Sequence, residues 1–306
     1  MDLFGDVKNR DELPVLNSGD YSAKKLLENK YLLPRKGLVI VVCKDNYYSF
    51  ETTKNLAINW LGEDNLNGQL FTPNPEGVGW KIDEVEELII KPSYKVALNA
   101  NIILVTQADL MDDRSYDKLL KTIEEPESNS IYIMLIKAEK NLKKTILGRA
   151  GVIINLLEPG IDELKNYRTN VKIEIGDLYR NSNYNLLVFK SMLEDIQIYD
   201  KLVEVNSLLS ISSTPAINSR KIIQGVESLS KSIGKTEAGD GLDPKQIARE
   251  ILLDLLTRYQ SNSSTLLRQS EDIGLFRRRE KAAESFLVGS RFNTPMALLV
   301  YNLLAA

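Results

Sequence analysis

The 306 residues include no histidine and a single cysteine, Cys43. Without imidazole there is no Ser-His or Cys-His nucleophilic pair, no histidine general base and no zinc site with a histidine ligand. One cysteine also excludes a disulfide framework. Cys43 closes an apolar run and reads as a small core residue rather than a reactive thiol. No apolar run approaches the roughly 18 residues of a membrane span. Residues 1–10 carry charges where a signal peptide would have an apolar core, so a soluble, cytoplasmic protein with no membrane partner is expected. A surplus of positive charge is missing as well. The 39 basic and 42 acidic side chains leave a net charge of −3, which disfavours a protein that grips nucleic acid alone. Any DNA contact should be weak, indirect or shared with partners. What the chain does have is length for two or three domains, and 43% apolar residues to give them cores.

The most informative stretch is Leu119-Leu120-Lys121-Thr122-Ile123-Glu124-Glu125-Pro126, because of its flanks. Ahead of it run Ile102-Ile103-Leu104-Val105 and then Ala108-Asp109-Leu110-Met111. Behind it come the apolar residues 131–136 and then Thr145-Ile146-Leu147-Gly148-Arg149. Leu119, Leu120 and Ile123 share one helical face, and Pro126 drives Glu125 out of the α region, so the helix should stop there. Buried strand, helix and buried strand in that order predict a parallel α/β sheet.

At these residues the chain resembles the AAA+ subunits of the bacterial DNA polymerase III clamp loader. That family's pattern is an apolar strand, Ala-Asp-x-Met, a short gap, Ala-Leu-Leu-Lys-Thr-Leu-Glu-Glu-Pro, a second strand, and Thr-Ile-x-Ser-Arg-Cys. Ala108, Asp109 and Met111 match. Lys118 stands for the alanine, and Leu119 to Pro126 match with Ile123 for leucine. Thr145, Ile146 and Arg149 match in register, with Gly148 and Ala150 in place of the serine and cysteine. The likeness covers roughly residues 80–157 and is specific there, since chance seldom supplies both strands and the spaced arginine. It implies an AAA+ RecA-like parallel-sheet domain over residues 1–157, a small helical lid over 158–192 and an all-helical collar domain over 193–306.

A hydrolysing member of the family needs a glycine-rich loop after the first strand, ending in Lys-Thr or Lys-Ser at a helix N-terminus. Here the strand, residues 38–42, is followed by Cys43-Lys44-Asp45-Asn46-Tyr47-Tyr48-Ser49-Phe50-Glu51-Thr52-Thr53. That loop has no glycine, Asp45 brings negative charge towards the phosphate position, and Phe50 or Glu51 falls where the lysine belongs. The next strand should be followed by Asp-Glu for Mg²⁺ and the attacking water, but Thr106-Gln107 stand there. The polar sensor expected on the strand after that falls near Ile136 and Lys137. The four-cysteine zinc module of many relatives is also missing. No ATP hydrolysis, no cofactor and no metal are therefore expected.

Among clamp-loader subunits this combination looks like the delta prime type, which often keeps the fold and the arginine without a nucleotide site. The resemblance implies that Arg149 acts in trans on ATP held by a neighbouring gamma/tau-like ATPase subunit. It also implies a delta-like subunit as a partner, and the sliding clamp through the complex. Two alternatives stay open: a clamp-loader ATPase of the gamma type, and a degenerate AAA+ adaptor outside replication. In the family a helix matching residues 82–90 often presents a basic residue to DNA; Glu86 stands at that position here.

Elsewhere, helices are expected over residues 21–32 and 82–90, with Ile82, Val85 and Ile89 inward, and an irregular excursion over 62–79. Pro159-Gly160 marks a boundary, followed by helices over 161–167, 185–192, 193–209, 216–233, 243–259, 263–287 and 294–304, the last resembling the family's collar helix. Residues 234–241 read as a loop. The basic cluster Arg277-Arg278-Arg279-Glu280-Lys281 is interrupted by Glu280 and reads as a solvated face. Lys140, Lys143 and Lys144 form a second basic group, open to a phosphate contact.

Overall fold

The computed structural model describes residues 22–28, 33, 36–61, 69–71, 80, 82–93, 101–125, 130–165, 167, 173–210, 215–268 and 300. The chain divides at Glu158 into two compact units.

In the first unit a short helix α1 (Ala23–Glu28) precedes strand β1 (Gly37–Val42), entered through Gly37 at φ 112°, a backbone angle that favours glycine. The order continues with α2 (Asn46–Leu61), β2 (Gln69–Phe71), α3 (Ile82–Ser93), β3 (Asn101–Val105), α4 (Asp113–Glu124), β4 (Ser130–Ile136), α5 (Lys144–Leu147) and β5 (Ala150–Asn155). The strands form one sheet in the order β2-β3-β4-β1-β5, every pairing parallel. Residues Asn101 to Val105 and Ser130 to Ile136 are buried throughout. Strands covered on both faces read as continuous apolar runs, which is why β1, β3 and β4 stand out in the sequence. The expected α/β class, a parallel sheet with helices between its strands followed by further helices, is what the chain adopts.

Helix α4 is the predicted Leu-Leu-Lys-Thr-Ile-Glu helix. Asp112 caps it by accepting from the Ser115 N–H at 2.7 Å, and those Ser115 hydrogen bonds hold its carboxyl below the ordinary value. Leu119 and Ile123 are buried and Leu120 partly so. At the far end Glu125 sits at φ −127° and ψ 68°, outside the α region as expected for a residue before proline; Pro126 lies outside the described residues.

Two expectations need correction in this unit, and one helix carried no expectation. The 62–79 stretch includes β2, whose three residues pair with β3 but are too few to show alternation. In α3, Ile82 is 40% exposed, and Val85 and Leu88 supply the inward face with Ile89 half-buried. Helix α2 had no apolar signature because its buried face is Tyr48, Ser49, Thr52, Thr53, Leu56 and Ala57, half of them hydroxyl residues of small size.

The described part of the second unit is helical: α6 (Ile161–Leu164), α7 (Ile175–Asn181), α8 (Leu186–Glu194), α9 (Gln197–Ser210), α10 (Pro215–Ile233) and α11 (Pro244–Arg268). Asn185 caps α8 through the Val188 N–H and also donates to Asp254 Oδ2 at 3.1 Å, tying α8 to α11. Where one helix was expected from residue 193, the chain breaks at Asp195, which is extended and accepts from the Gln197 N–H. Glu194, now at a helix end, takes the N–H groups of Glu237 and Ala238 and holds the 234–241 loop. The break expected after residue 259 is absent, and α11 runs on to Arg268. Residues 269–299, with the Arg277 cluster and most of the expected collar helix, lie outside the described residues.

Leu119 has no solvent exposure and sits among residues of β1, β3 and β4. Leu119→Ala is expected to cost about 2–5 kcal/mol, read as a lowered urea midpoint for the full chain.

Candidate functional site

In an open parallel sheet, ligands bind beyond the carboxyl ends of the strands, at the point where chain connections leave to opposite sides. That point here is β1, flanked by β4 and β5. Its carboxyl end leads through only Cys43, Lys44 and Asp45 into α2. The Cys43 N–H donates to the Ile136 carbonyl at 2.9 Å, and the Leu156 N–H donates to the Val42 carbonyl at 2.9 Å, so the loop is laced to strands on both sides.

The start of α2 is where a phosphate would meet free N–H groups. Asp45 is there instead. Its Oδ1 accepts from the Tyr48 N–H at 2.9 Å, its carbonyl accepts from the Ser49 N–H at 3.0 Å, and the residue is 6% exposed. The chain's own carboxylate thus holds one of the donors that an incoming anion would use, and its charge repels the rest of a triphosphate. Beside it, burial and then the Asp45 charge push the Cys43 thiol up to about 12. That agrees with a core thiol, not a nucleophile.

The end of β3 has no acid. Thr106 is buried, and its carbonyl accepts from the Trp80 indole N–H at 2.9 Å. Gln107 adopts a left-handed conformation, φ 45°, and leads into a short turn, Ala108–Leu110. Ile136, at the sensor position, is 1% exposed within β4. The polar residue that does approach this edge is Asp109. Its Oδ2 accepts from the Lys137 N–H and the Asn141 amide, both at 3.3 Å, while burial raises its carboxyl above the ordinary value. It fastens the end of β3 to the end of β4. Tyr116 adds a hydroxyl bond to the Ala108 carbonyl at 2.5 Å.

Arg149 lies just ahead of β5, its N–H bonded to the Ile146 carbonyl. The side chain is 55% exposed, and its Nη2 meets Glu124 Oε1 of α4 at 2.5 Å. Gly148, which replaces a serine in the resembled pattern, has φ −68°, and an added Cβ would make only ordinary contacts with the Lys144 and Thr145 carbonyls. The local backbone therefore does not depend on glycine there.

Two further groups are occupied by intramolecular pairs. Glu86 on α3 pairs with Lys118 on α4, so the residue replacing the family's alanine answers the residue replacing its basic one. Lys143 meets Asp117 at 2.6 Å and Asp113 at 3.9 Å, and the Asp117 hydrogen bond raises its ammonium above the ordinary value. Of the basic group 140–144, this lysine is engaged. Among the described residues no three potential metal ligands come together, and no helix is long and apolar enough to cross a membrane.

Comparison with known proteins places one stretch. Residues 51–158 match the family described as DNA polymerase III, delta subunit. The matched third of the chain runs from within α2 through β5 and takes in Thr106, Gln107, Glu124 and Arg149. It agrees with the motif resemblance at the level of polymerase III clamp-loader subunits. A DNA polymerase III gamma subunit-related protein of Thermotoga maritima shares 16% identity, over 92% of this chain and 97% of its own, with a TM-score of 0.47. A variant of RuvB from Thermotoga maritima shares 11%, over 76% of this chain and 83% of its own, at 0.35. The HORMA:CdnC:Trip13 complex of E. coli MS115-1 includes a chain 14% identical, over 49% of this chain and 60% of its own, at 0.35. No curated protein matches the sequence.

The Cys43 environment gives a test. A folded-state value raised above the ordinary one means that stability is unaffected while the thiol is neutral in both states, and falls once pH exceeds about 9, where the unfolded thiol ionises first. Near pH 8.5, about the ordinary thiol pKa, iodoacetamide should alkylate Cys43 in urea and not in the native chain, as followed by mass spectrometry.

Proposed function

We propose that the chain is a non-hydrolysing, delta prime-like subunit of a replicative clamp loader. It helps load the sliding clamp onto primed DNA and donates Arg149 to ATP held by a neighbouring ATPase subunit. The observation that carries this reading is Asp45, buried on the N-terminus of α2 and bonded to the Tyr48 N–H. A chain that fills its phosphate position with its own anion has no use for a nucleotide there. The absence of an acid at Thr106-Gln107 supports the same reading independently.

Arg149 supports the trans role. A planar guanidinium on the surface, held beside a helix end, offers hydrogen-bond donors that neutralise charge on a transferring phosphoryl group. Such a finger contributes roughly 10³ to 10⁵ in rate in related hydrolases. In this proposal the helices from about residue 193 onward are the main partner-binding unit, residues 158–192 form a lid, the partners are gamma/tau-like and delta-like subunits, and the assembly works in the cytoplasm. DNA contact by α3 is not part of it, because Glu86 and Lys118 satisfy each other.

Two measurements test the reading. Isothermal titration of the isolated chain with Mg-ATP should give no saturable heat; micromolar binding would favour the gamma-type ATPase instead. Mixed with the ATPase and delta-like subunits of its source, the chain should enter a defined complex. In that complex Arg149→Ala should lower clamp- and DNA-stimulated turnover by at least about tenfold, a fraction of the finger effect, while assembly is kept. Arg149→Lys should not restore it fully, since an ammonium lacks the planar fork. Unchanged turnover would reduce the chain to a passive scaffold.

A further inference from the structure

Arg149 and Glu124 come from separate elements, one ahead of β5 and one at the last turn of α4, yet the fold brings Nη2 and Oε1 to 2.5 Å. The Arg149 side chain is 55% exposed and that of Glu124 35%, so water screens the pair and it adds little to stability. What the contact does is restrict direction. A guanidinium has five N–H donors in a rigid fork at the end of a flexible stem, and one fixed donor removes most of the stem's freedom. Among the described residues Glu124 is the one carboxylate in ion-pair contact with Arg149, and that contact engages Nη2, leaving the Nε–H and the Nη1 N–H groups as separate donors for outside acceptors.

We propose that Glu124 is a positioning residue for Arg149: by accepting from Nη2 it sets the guanidinium so that its other donors face an anionic phosphoryl group presented by a neighbouring subunit. This rests on the trans role proposed above for Arg149. Orientation of a donor before the reacting group arrives removes reorganisation from the chemical step, so the effect belongs in kcat and not in nucleotide affinity. The required property of residue 124 is an acceptor oxygen at the right reach. A glutamine amide oxygen supplies it and an alanine does not.

The test uses the full chain in the reconstituted complex, with the Arg149 side-chain NMR signal of the isolated chain as a second readout, assigned through Arg149→Ala. Alanine is well tolerated in a helix, so Glu124→Ala should fold. It is expected to shift the Arg149 signal and to lower kcat about three- to tenfold with little change in KM for ATP, the scale of a lost orienting contact. Glu124→Gln should recover most of that loss, and Glu124→Ala should have no added effect in an Arg149→Ala background. If Glu124→Ala leaves kcat unchanged or raises it while Arg149→Ala lowers it, the positioning role is overturned and the finger stands. If Arg149→Ala changes nothing, the finger reading fails first and takes this role with it. An Arg149 signal indifferent to Glu124→Ala overturns the contact itself, whatever the kinetics.

Discussion

Strand β1 is paired along both edges, with β4 on one side and β5 on the other, and the arrangement of the first unit follows from that. Leu38 to Val41 are buried, so every backbone N–H and C=O along them must find a partner within the protein. Two parallel neighbours provide those partners only if helices cover both faces and connections leave β1 in two directions. The chain meets this by sending β2, β3 and β4 to one side and β5 to the other. One consequence is geometric: the carboxyl end of β1 becomes the sheet's natural ligand position, whatever residues happen to occupy it.

The residues that do occupy it complete the edge without a ligand. A helix N-terminus inside a protein has donors to satisfy, and a bound phosphate can satisfy them at the entropic cost of capturing a free molecule. Asp45 is already attached, so its carboxylate reaches the Tyr48 N–H without that cost, an N-cap contribution of about 0.5–2 kcal/mol. At the neighbouring strand end the Trp80 indole takes the Thr106 carbonyl, and Asp109 ties the start of one turn to the start of the next. The edge at the carboxyl ends of these strands is here closed by the chain's own side-chain hydrogen bonds.

How much of this the sequence discloses depends on what buries each segment. Strands β1, β3 and β4 are legible because two-sided burial writes an unbroken apolar run. The missing glycines and the missing Asp-Glu are legible because they are departures at fixed places in a known pattern. Helix α2 hides, since hydroxyl residues such as Ser49, Thr52 and Thr53 take inward positions usually held by apolar ones. The kink at Asp195 hides for another reason: the apolar period continues across it, and only the Gln197 N–H and the Glu237 and Ala238 N–H groups show where Asp195 and Glu194 are used. The pairing of Arg149 with Glu124 was not legible at all. Both residues belong to the motif, but spacing along a chain does not reveal which side chains a turn and a helix end bring together.

The motif itself divides into two kinds of residue once the contacts are known. Ala108 accepts from Tyr116, Asp109 joins two strand ends, and Leu119 and Ile123 fill the core against the sheet. A chain that kept this fold for any purpose would have reason to keep those. Glu124 and Arg149 are different, being exposed and, among the described residues, in ion-pair contact with each other, where screening by water makes such a pair worth little. Their presence in register with the resembled pattern, in a chain that departs from that pattern at Asp45 and at Thr106-Gln107, is therefore the part of the motif that burial and packing do not account for.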